Sequence, residues 1–364
     1  MELSDIAELS YDEATGRIAE ATYKWLGDEL GRFVNGLSPD LGLATSAYLQ
    51  RSGKALRPIL LMLSAMATGV SEPSAVVPAC AAVEVYHNAT LVHDDIIDQD
   101  DLRRGKPTVH ALIRESRSGK LAGGASPAHY ALSTAILAGD MLFSFSSKIF
   151  TEMEGFPAEV LLSIAAEQSG NMNPGLLKGE QLDLELEHKP LSEVTTGEIE
   201  EMMALKTSLL LSFAARVGAA LGSAQAIGRN PVGEKLAEGV TAAGLAFQLQ
   251  DDILGIFGDE KLLGKPIGSD LREGKRTLLI IETWRHASAE QRIFLENNLG
   301  RQDMTDETVN ALRRLIEESG ALQAVRETAA AHIAVAEKSL ECVENPAIRS
   351  LLAEFMARLT RRRK

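Results

Sequence analysis

The 364-residue chain is poor in aromatic residues, at 5%, and poor in the alternating polar and apolar runs, closed by hairpin turns, that mark strands. Both shortages argue against a sheet protein, because strands favour aromatic and β-branched side chains. Only two cysteines are present, Cys80 and Cys342. They stand far apart without metal-ligand spacing, which excludes a disulfide scaffold and reads as buried thiols in a reducing compartment. Basic residues are in the minority, 37 against 51 acidic, for a net charge of −14, so no general nucleic-acid surface is expected. No run of about 18 uncharged apolar residues occurs, and the acidic start of the sequence lacks the basic region and apolar core of a signal peptide. These absences predict a cytoplasmic protein with no transmembrane segment.

What is present is helical patterning. Hydrophobic residues at 45% and charged residues at 24% are ordinary for a globular chain. Apolar positions recur at i, i+3, i+4 and i+7 over residues 6–30, 55–66, 77–97, 131–150, 158–169, 196–221, 233–257, 276–285 and 305–347. Residues 207–221 are apolar nearly all round, which places that helix inside a large bundle. An all-α fold is predicted, with residues 1–364 forming one domain. Two stretches read as loops, 114–127 and the glycine- and charge-rich 264–274. The last four residues, Arg361 to Lys364, read as a solvated helix end or as cations for an anionic ligand.

The chemistry concentrates where apolar helices end in acid. Asp94 and Asp98 share a helix face at i and i+4, with Asp95 beside them and Asp100 and Asp101 behind. Like charges in apolar surroundings call for a compensating cation, and a hard divalent ion such as Mg²⁺ fits carboxylate oxygens. A second pair, Asp251 and Asp252, ends the helix that carries Phe247 and Gln248. Basic groups follow each pair: Arg103, Arg104 and Lys106 after the first, and Lys265, Arg272, Lys275 and Arg276 after the second. That pattern suggests metals clamped between facing helices, with cations on phosphate oxygens. Gly53, Lys54 and Arg57 add a helix start in which Gly53 allows close backbone approach and Lys54 and Arg57 share a face. His87 lies two turns before Asp94 on the same side.

Together these motifs resemble the trans-isoprenyl diphosphate synthases, the polyprenyl synthetase family, over roughly residues 54–277, and geranylgeranyl diphosphate synthases in particular. Residues 53–58 resemble the family's Gly-Lys-x-x-Arg-Pro motif, which with His87 and Arg104 implies the diphosphate site for isopentenyl diphosphate. Residues 94–98 resemble the first aspartate-rich motif, with Arg103 and Arg104 its paired arginines, and residues 247–255 resemble the second. The resemblance implies Mg²⁺ held chiefly by Asp94, Asp98 and Asp251, with Asp95 and Asp252 counted among the catalytic carboxylates. Lys206 and Thr207 match the pair beside the reacting carbon of the allylic substrate. The Lys206 carbonyl, the Thr207 hydroxyl and the Gln248 amide are the expected stabilisers of the allylic cation, and Lys265 and Lys275 match the lysines of the loop that follows. Two departures stand out: Glu180 occupies the usual Gln place in Gly179-Glu180-Gln181-Leu182-Asp183, and Gly255 replaces the third aspartate of the second motif.

The family fold implied is a single helical bundle around a central apolar cavity, which would shield the cation from water. The implied partners are isopentenyl diphosphate, an allylic diphosphate (dimethylallyl, geranyl or farnesyl) and a second copy of the chain. Product length is expected to be set on the helix before Asp94. Ala89, five residues before it, is too small to close a tunnel. Tyr86, about one turn deeper, is large enough, which predicts about four or five isoprene units. The alternatives are a longer quinone-type chain, a non-catalytic subunit of a heteromeric synthase, a terpene cyclase and a metal phosphohydrolase.

Overall fold

The computed structural model describes residues 3, 5–51, 53–118, 126–258 and 268–360. Lys265, the centre of the 114–127 loop and the basic tail 361–364 lie outside the described residues. The fold is all-α, as the periodicity predicts. Among the described residues the one exception is a two-stranded antiparallel hairpin, β1 (Leu102–Arg103) on β2 (Lys106–Pro107). The sequence reading has no hairpin because the turn is Arg104-Gly105 and not a typical turn pair. Both residues adopt positive φ, 53° and 73°, as a tight two-residue hairpin demands.

The chain divides into two compact units. The first comprises Met1–Glu167, Ala214–Gly233 and Asn345–Leu351. In it α1 (Tyr11–Val34) starts at a capping box of Ser10 and Glu13 and buries Ala14, Ile18, Leu26 and Leu30, one face of the 3.6-residue period. After α2 (Pro39–Ser46), α3 (Leu56–Ala67) opens behind Ala55, whose φ of 48° is left-handed. Pro58 in its first turn costs no hydrogen bond there. The following α4 (Val77–Ile97) is buried almost all round. It packs against α1, α3 and, past α5 (Val109–Ser116), against α6 (Pro127–Thr151). Gly139 of α6 makes that approach possible, because a Cβ there would stand 2.2 Å from His93 Nε2 of α4. α7 (Ala158–Glu167) closes the first stretch of this unit.

The second unit comprises Gln168–Phe213, Glu234–Glu344 and Leu352–Lys364. Its first helices are broken by π-helical turns, Gln168–Met172 before α8 (Asn173–His188) and Ala204–Ser208 between α9 (Thr196–Met203) and α10 (Leu209–Ser223), of which only the residues to Phe213 belong to this unit. Beyond α11 (Pro231–Phe257) come the short α12 (Ser269–Glu273) and α13 (Leu278–His286). Leu249, Ile256, Leu271, Leu279, Ile281, Leu312 and Val325 form its core.

By length and composition Pro73–Ile97 and Thr196–Ser223 could cross a membrane, but 72% and 67% of those windows are buried in the fold, as befits core helices. One expectation needs correction. Cys80 is buried, whereas Cys342 is only partly so; both thiols are free.

Candidate active site

The basic set of the first unit gathers at the start of α3 and the middle of α4. Lys54 departs from expectation: α3 begins at Leu56, so Lys54 lies on the extended segment before it and is exposed, while Arg57 sits in the first turn. Nε of Arg57 and Nδ1 of His87 are both buried without a hydrogen-bond partner. Burial lowers the pKa of Arg57 against the opposing charges of Glu84 and Asp94. Burial also holds His87 well below its ordinary value, and the neighbouring charges of Arg57, Arg104 and Arg103 push the same way. Uncompensated buried donors beside several cations make a place where an anion is favoured. Gly53 and Arg104 lie near one another, and His87 feels the charges of Arg57 and Arg104.

Glu84 and Tyr23 belong to this cluster and went unread in the sequence. Glu84, 5% exposed, stands one turn before His87. Its Oε1 accepts a hydrogen bond from the Tyr23 hydroxyl at 2.8 Å. A lone Glu in an apolar helix is the signal that could have flagged it, since buried carboxylates are rare without partners.

At the end of α4, Asp94 and Asp98 sit one turn apart, and the Asp98 N–H donates to the Asp94 carbonyl at 2.8 Å. Asp94 is half-buried and Asp98 exposed. Asp95 points the other way. It is 1% exposed, accepts from Arg103 Nε at 2.6 Å and from the Tyr48 hydroxyl. Burial pulls the Arg103 guanidinium down, but Asp95 outweighs it and keeps its pKa raised. Asp95 thus acts through Arg103, which the hairpin presents beside Arg104. The 3%-exposed Tyr86 sets its ring 4.8 Å from that of Phe143 on α6, tilted by 55°, and Ala89 is fully buried.

In the second unit the π-turn carries Lys206 and Thr207. Lys206 Nζ contacts Asp183 at 2.5 Å and Glu180 at 3.0 Å, both on α8. Burial pulls the ammonium down, yet the two carboxylates outweigh it and hold its pKa above the ordinary lysine range. The substitution at position 180 therefore gives Lys206 a second anion. Glycines clamp the turn: a Cβ on Gly179 would lie 2.6 Å from the Lys206 backbone N, and one on Gly244 of α11 would lie 2.3 Å from Ser208 Oγ.

On α11, Gln248 Nε2 donates to Asp252 Oδ1 at 3.1 Å. Asp252 is 8% exposed. Burial raises its pKa to about 7, and Asp270 and Asp251 push the same way. Asp270 explains the missing third aspartate. A Cβ on Gly255 would lie 2.1 Å from Asp270 Oδ2, so a carboxylate from α12 fills the space that a side chain at 255 would take. Lys275 bonds Asp270 Oδ1 at 3.2 Å and Glu273 at 3.0 Å. Asp270 was missed because it lies 15 residues beyond the motif. Among the described residues no three His, Cys, Asp or Glu side chains group as a ready-made metal site. Asp94 and Asp98 in the first unit and Asp251 in the second each offer carboxylate oxygens, the donor type that suits a hard ion such as Mg²⁺.

Comparison with known proteins agrees with this inventory. The family model for polyprenyl synthetase matches residues 39–316. A geranylgeranyl diphosphate synthase of Methanosarcina mazei is 35% identical over 316 residues, covering 87% of this chain and 88% of that one. A geranylfarnesyl diphosphate synthase of Aeropyrum pernix is 32% identical over 296 residues, 79% of this chain and 82% of that one. The crystal structure of geranylgeranyl pyrophosphate synthetase from Pyrococcus horikoshii superposes with a TM-score of 0.82 at 30% identity, over 97% of this chain and 99% of that one. With its all-α fold, two aspartate pairs and basic diphosphate motif, the chain belongs to the polyprenyl synthetase family and is a trans-prenyltransferase.

Proposed function

We propose that this chain condenses isopentenyl diphosphate with an allylic diphosphate to give geranylgeranyl diphosphate, with one further unit as the upper limit. The carrying observation is the pair of buried, unpartnered donors on Arg57 and His87 beside Arg104, a cradle for a diphosphate whose carbon chain carries no charge. Lys54, exposed on the Gly53 segment, reaches the same anion. Mg²⁺ at Asp94, Asp98 and Asp251 would stabilise charge on the leaving diphosphate electrostatically. Arg103, Lys206, Lys265 and Lys275 bind its oxygens. The allylic C–O bond breaks with its electron pair leaving on diphosphate, while the Lys206 carbonyl, the Thr207 hydroxyl and the Gln248 amide face the cation. The double bond of isopentenyl diphosphate then attacks, and the departed diphosphate takes the proton. Tyr86, backed by Phe143, is the floor against which the chain stops.

The enzyme is placed in the cytoplasm as a homodimer. Leu132, Ile136 and Leu137 of α6 and Leu162 of α7 are exposed and offer apolar side chains to a second copy; sedimentation of the purified chain at monomer mass would refute the dimer. The activity test is purified protein with Mg²⁺, isopentenyl diphosphate and each allylic primer, with products resolved by chain length. Asp94→Ala and Asp251→Ala are each expected to lower turnover at least a thousandfold, about 4 kcal/mol of transition-state stabilisation, with the fold intact by circular dichroism. Turnover within a few-fold of the parent in either variant overturns the assignment.

A further inference from the structure

Two residues outside every motif lock the segment that enters α3. The Gly53 N–H donates to the Tyr23 hydroxyl oxygen at 2.8 Å, and that hydroxyl spends its single proton on Glu84 Oε1, also at 2.8 Å. The relay joins three parts of the first unit: α1, the extended segment and α4. Tyr23 precedes residue 39, where the family match begins, and Glu84 lies one turn before His87. The fit is close, since a Cβ on Gly53 would meet Tyr23 Oη at 3.1 Å, Glu84 Oε1 at 3.4 Å and Arg104 Nη1 at 3.7 Å. Two residues on, Ala55 holds a φ of 48°, a conformation that persists in a non-glycine residue only when its surroundings fix it. Burial raises both acids of the relay, so Tyr23 keeps its proton as the donor the geometry requires.

We propose that Tyr23 and Glu84 are positioning residues that set the affinity for isopentenyl diphosphate by fixing the Gly53–Arg57 segment through the Gly53 N–H. The inference rests on the reading of Lys54, Arg57, His87 and Arg104 as the site for that substrate. Both residues act on Gly53 through the hydrogen-bonded relay, so the effect is expected on one diphosphate and not on the allylic one.

The test uses the full chain with Tyr23→Phe, which removes one oxygen, together with Glu84→Met and Glu84→Gln. KM for each substrate, kcat, and calorimetric Kd for isopentenyl diphosphate are measured alongside thermal unfolding. Tyr23→Phe is expected to raise KM and Kd for isopentenyl diphosphate about tenfold while the allylic KM stays within twofold and saturated kcat within threefold. Glu84→Met is expected to show the same selective loss, and Glu84→Gln, which keeps an acceptor for the phenol, to recover most of it. An unmoved KM and Kd in Tyr23→Phe, or equal rises for both substrates, overturns the proposal. Should Tyr23→Phe fail to fold, the contrast between the two Glu84 variants decides, and no difference between them overturns it. A parent chain that consumes no isopentenyl diphosphate defeats the functional reading and this inference together, whereas an active parent with an indifferent Tyr23→Phe defeats this inference alone.

Discussion

Substituting Gly179 by alanine tests whether the π-turn at Lys206 must sit where α8 lets it. A Cβ at 179 would stand 2.6 Å from the Lys206 N, 2.8 Å from Leu205 Cβ and 2.9 Å from Leu205 C. Two of these are backbone atoms and cannot swing aside as a side-chain tip can. Restoring ordinary contact near 3.4 Å parts α8 from the turn by roughly 0.8 Å at the nearest point. Overpacking of this kind costs about 1–3 kcal/mol, while alanine in place of glycine inside a helix returns about 1 kcal/mol. Net destabilisation is therefore about 0–2 kcal/mol, a fall of a few degrees in Tm. Catalysis is expected to lose far more if this turn faces the reacting carbon as proposed, because a displacement near 1 Å of such groups costs on the order of a hundredfold in rate. The expected signature is discordant: near-parental melting by circular dichroism and kcat down about a hundredfold. Gly197→Ala on α9, where a Cβ meets nothing within 4 Å, is the control and is expected to melt slightly higher with parental kcat. Gly179→Ala with parental kcat, or a loss matched by the unfolded fraction, refutes the reasoning.

Asp95→Asn removes the anion that holds Arg103. Loss of one member of a buried pair costs about 3–5 kcal/mol, and because the Arg103 side chain is 27% exposed about 2 kcal/mol is expected; a variant with parental Tm and turnover refutes the role. Tyr86→Ala is expected to lengthen the product by at least one isoprene unit and Ala89→Phe to shorten it, and chromatography showing an unchanged distribution in Tyr86→Ala moves the floor elsewhere. His87 is depressed by burial and then by Arg57, Arg104 and Arg103, so below its ordinary pKa of 6.5 the unfolded chain binds the proton first. Its contribution to stability is constant above about pH 6.5 and declines as pH falls through that value, by up to about 1.4 kcal/mol per pH unit. Denaturant unfolding from pH 5 to 8 is expected to show a shallower acid slope in His87→Gln, and an identical slope refutes the assignment.

Helix content and the two aspartate pairs were legible because both are written in short-range spacing: the 3.6-residue period for the elements, and i to i+4 for Asp94 and Asp98. The single-residue insertion in a π-turn leaves that period almost unchanged, so residues 204–208 read as uninterrupted helix. Asp95 read as one more catalytic acid because spacing gives a carboxylate's position and not the direction it faces. Long-range partners were invisible for a different reason. Tyr23 and Glu84 are 61 residues apart, and nothing local in either sequence names the other. Gly255 stands out in the sequence only as a departure from the motif, because Asp270, whose carboxylate lies against it, is 15 residues further on.

The π-turn of residues 204–208 also bears on how the sequence can drift. Each residue advances an α-helix by 100°, and a π-turn takes up one extra residue as a local bulge, so a chain that lost one residue within 204–208 would close into regular helix with the turns on either side in their present register. Leu210, Leu211 and Phe213, all buried, could stay inward, and what the deletion would remove is the widened turn that carries the Lys206 and Thr207 backbone. Alignments of related chains are therefore expected to place any single-residue gap of this helix inside 204–208 and not in the regular turns beside it.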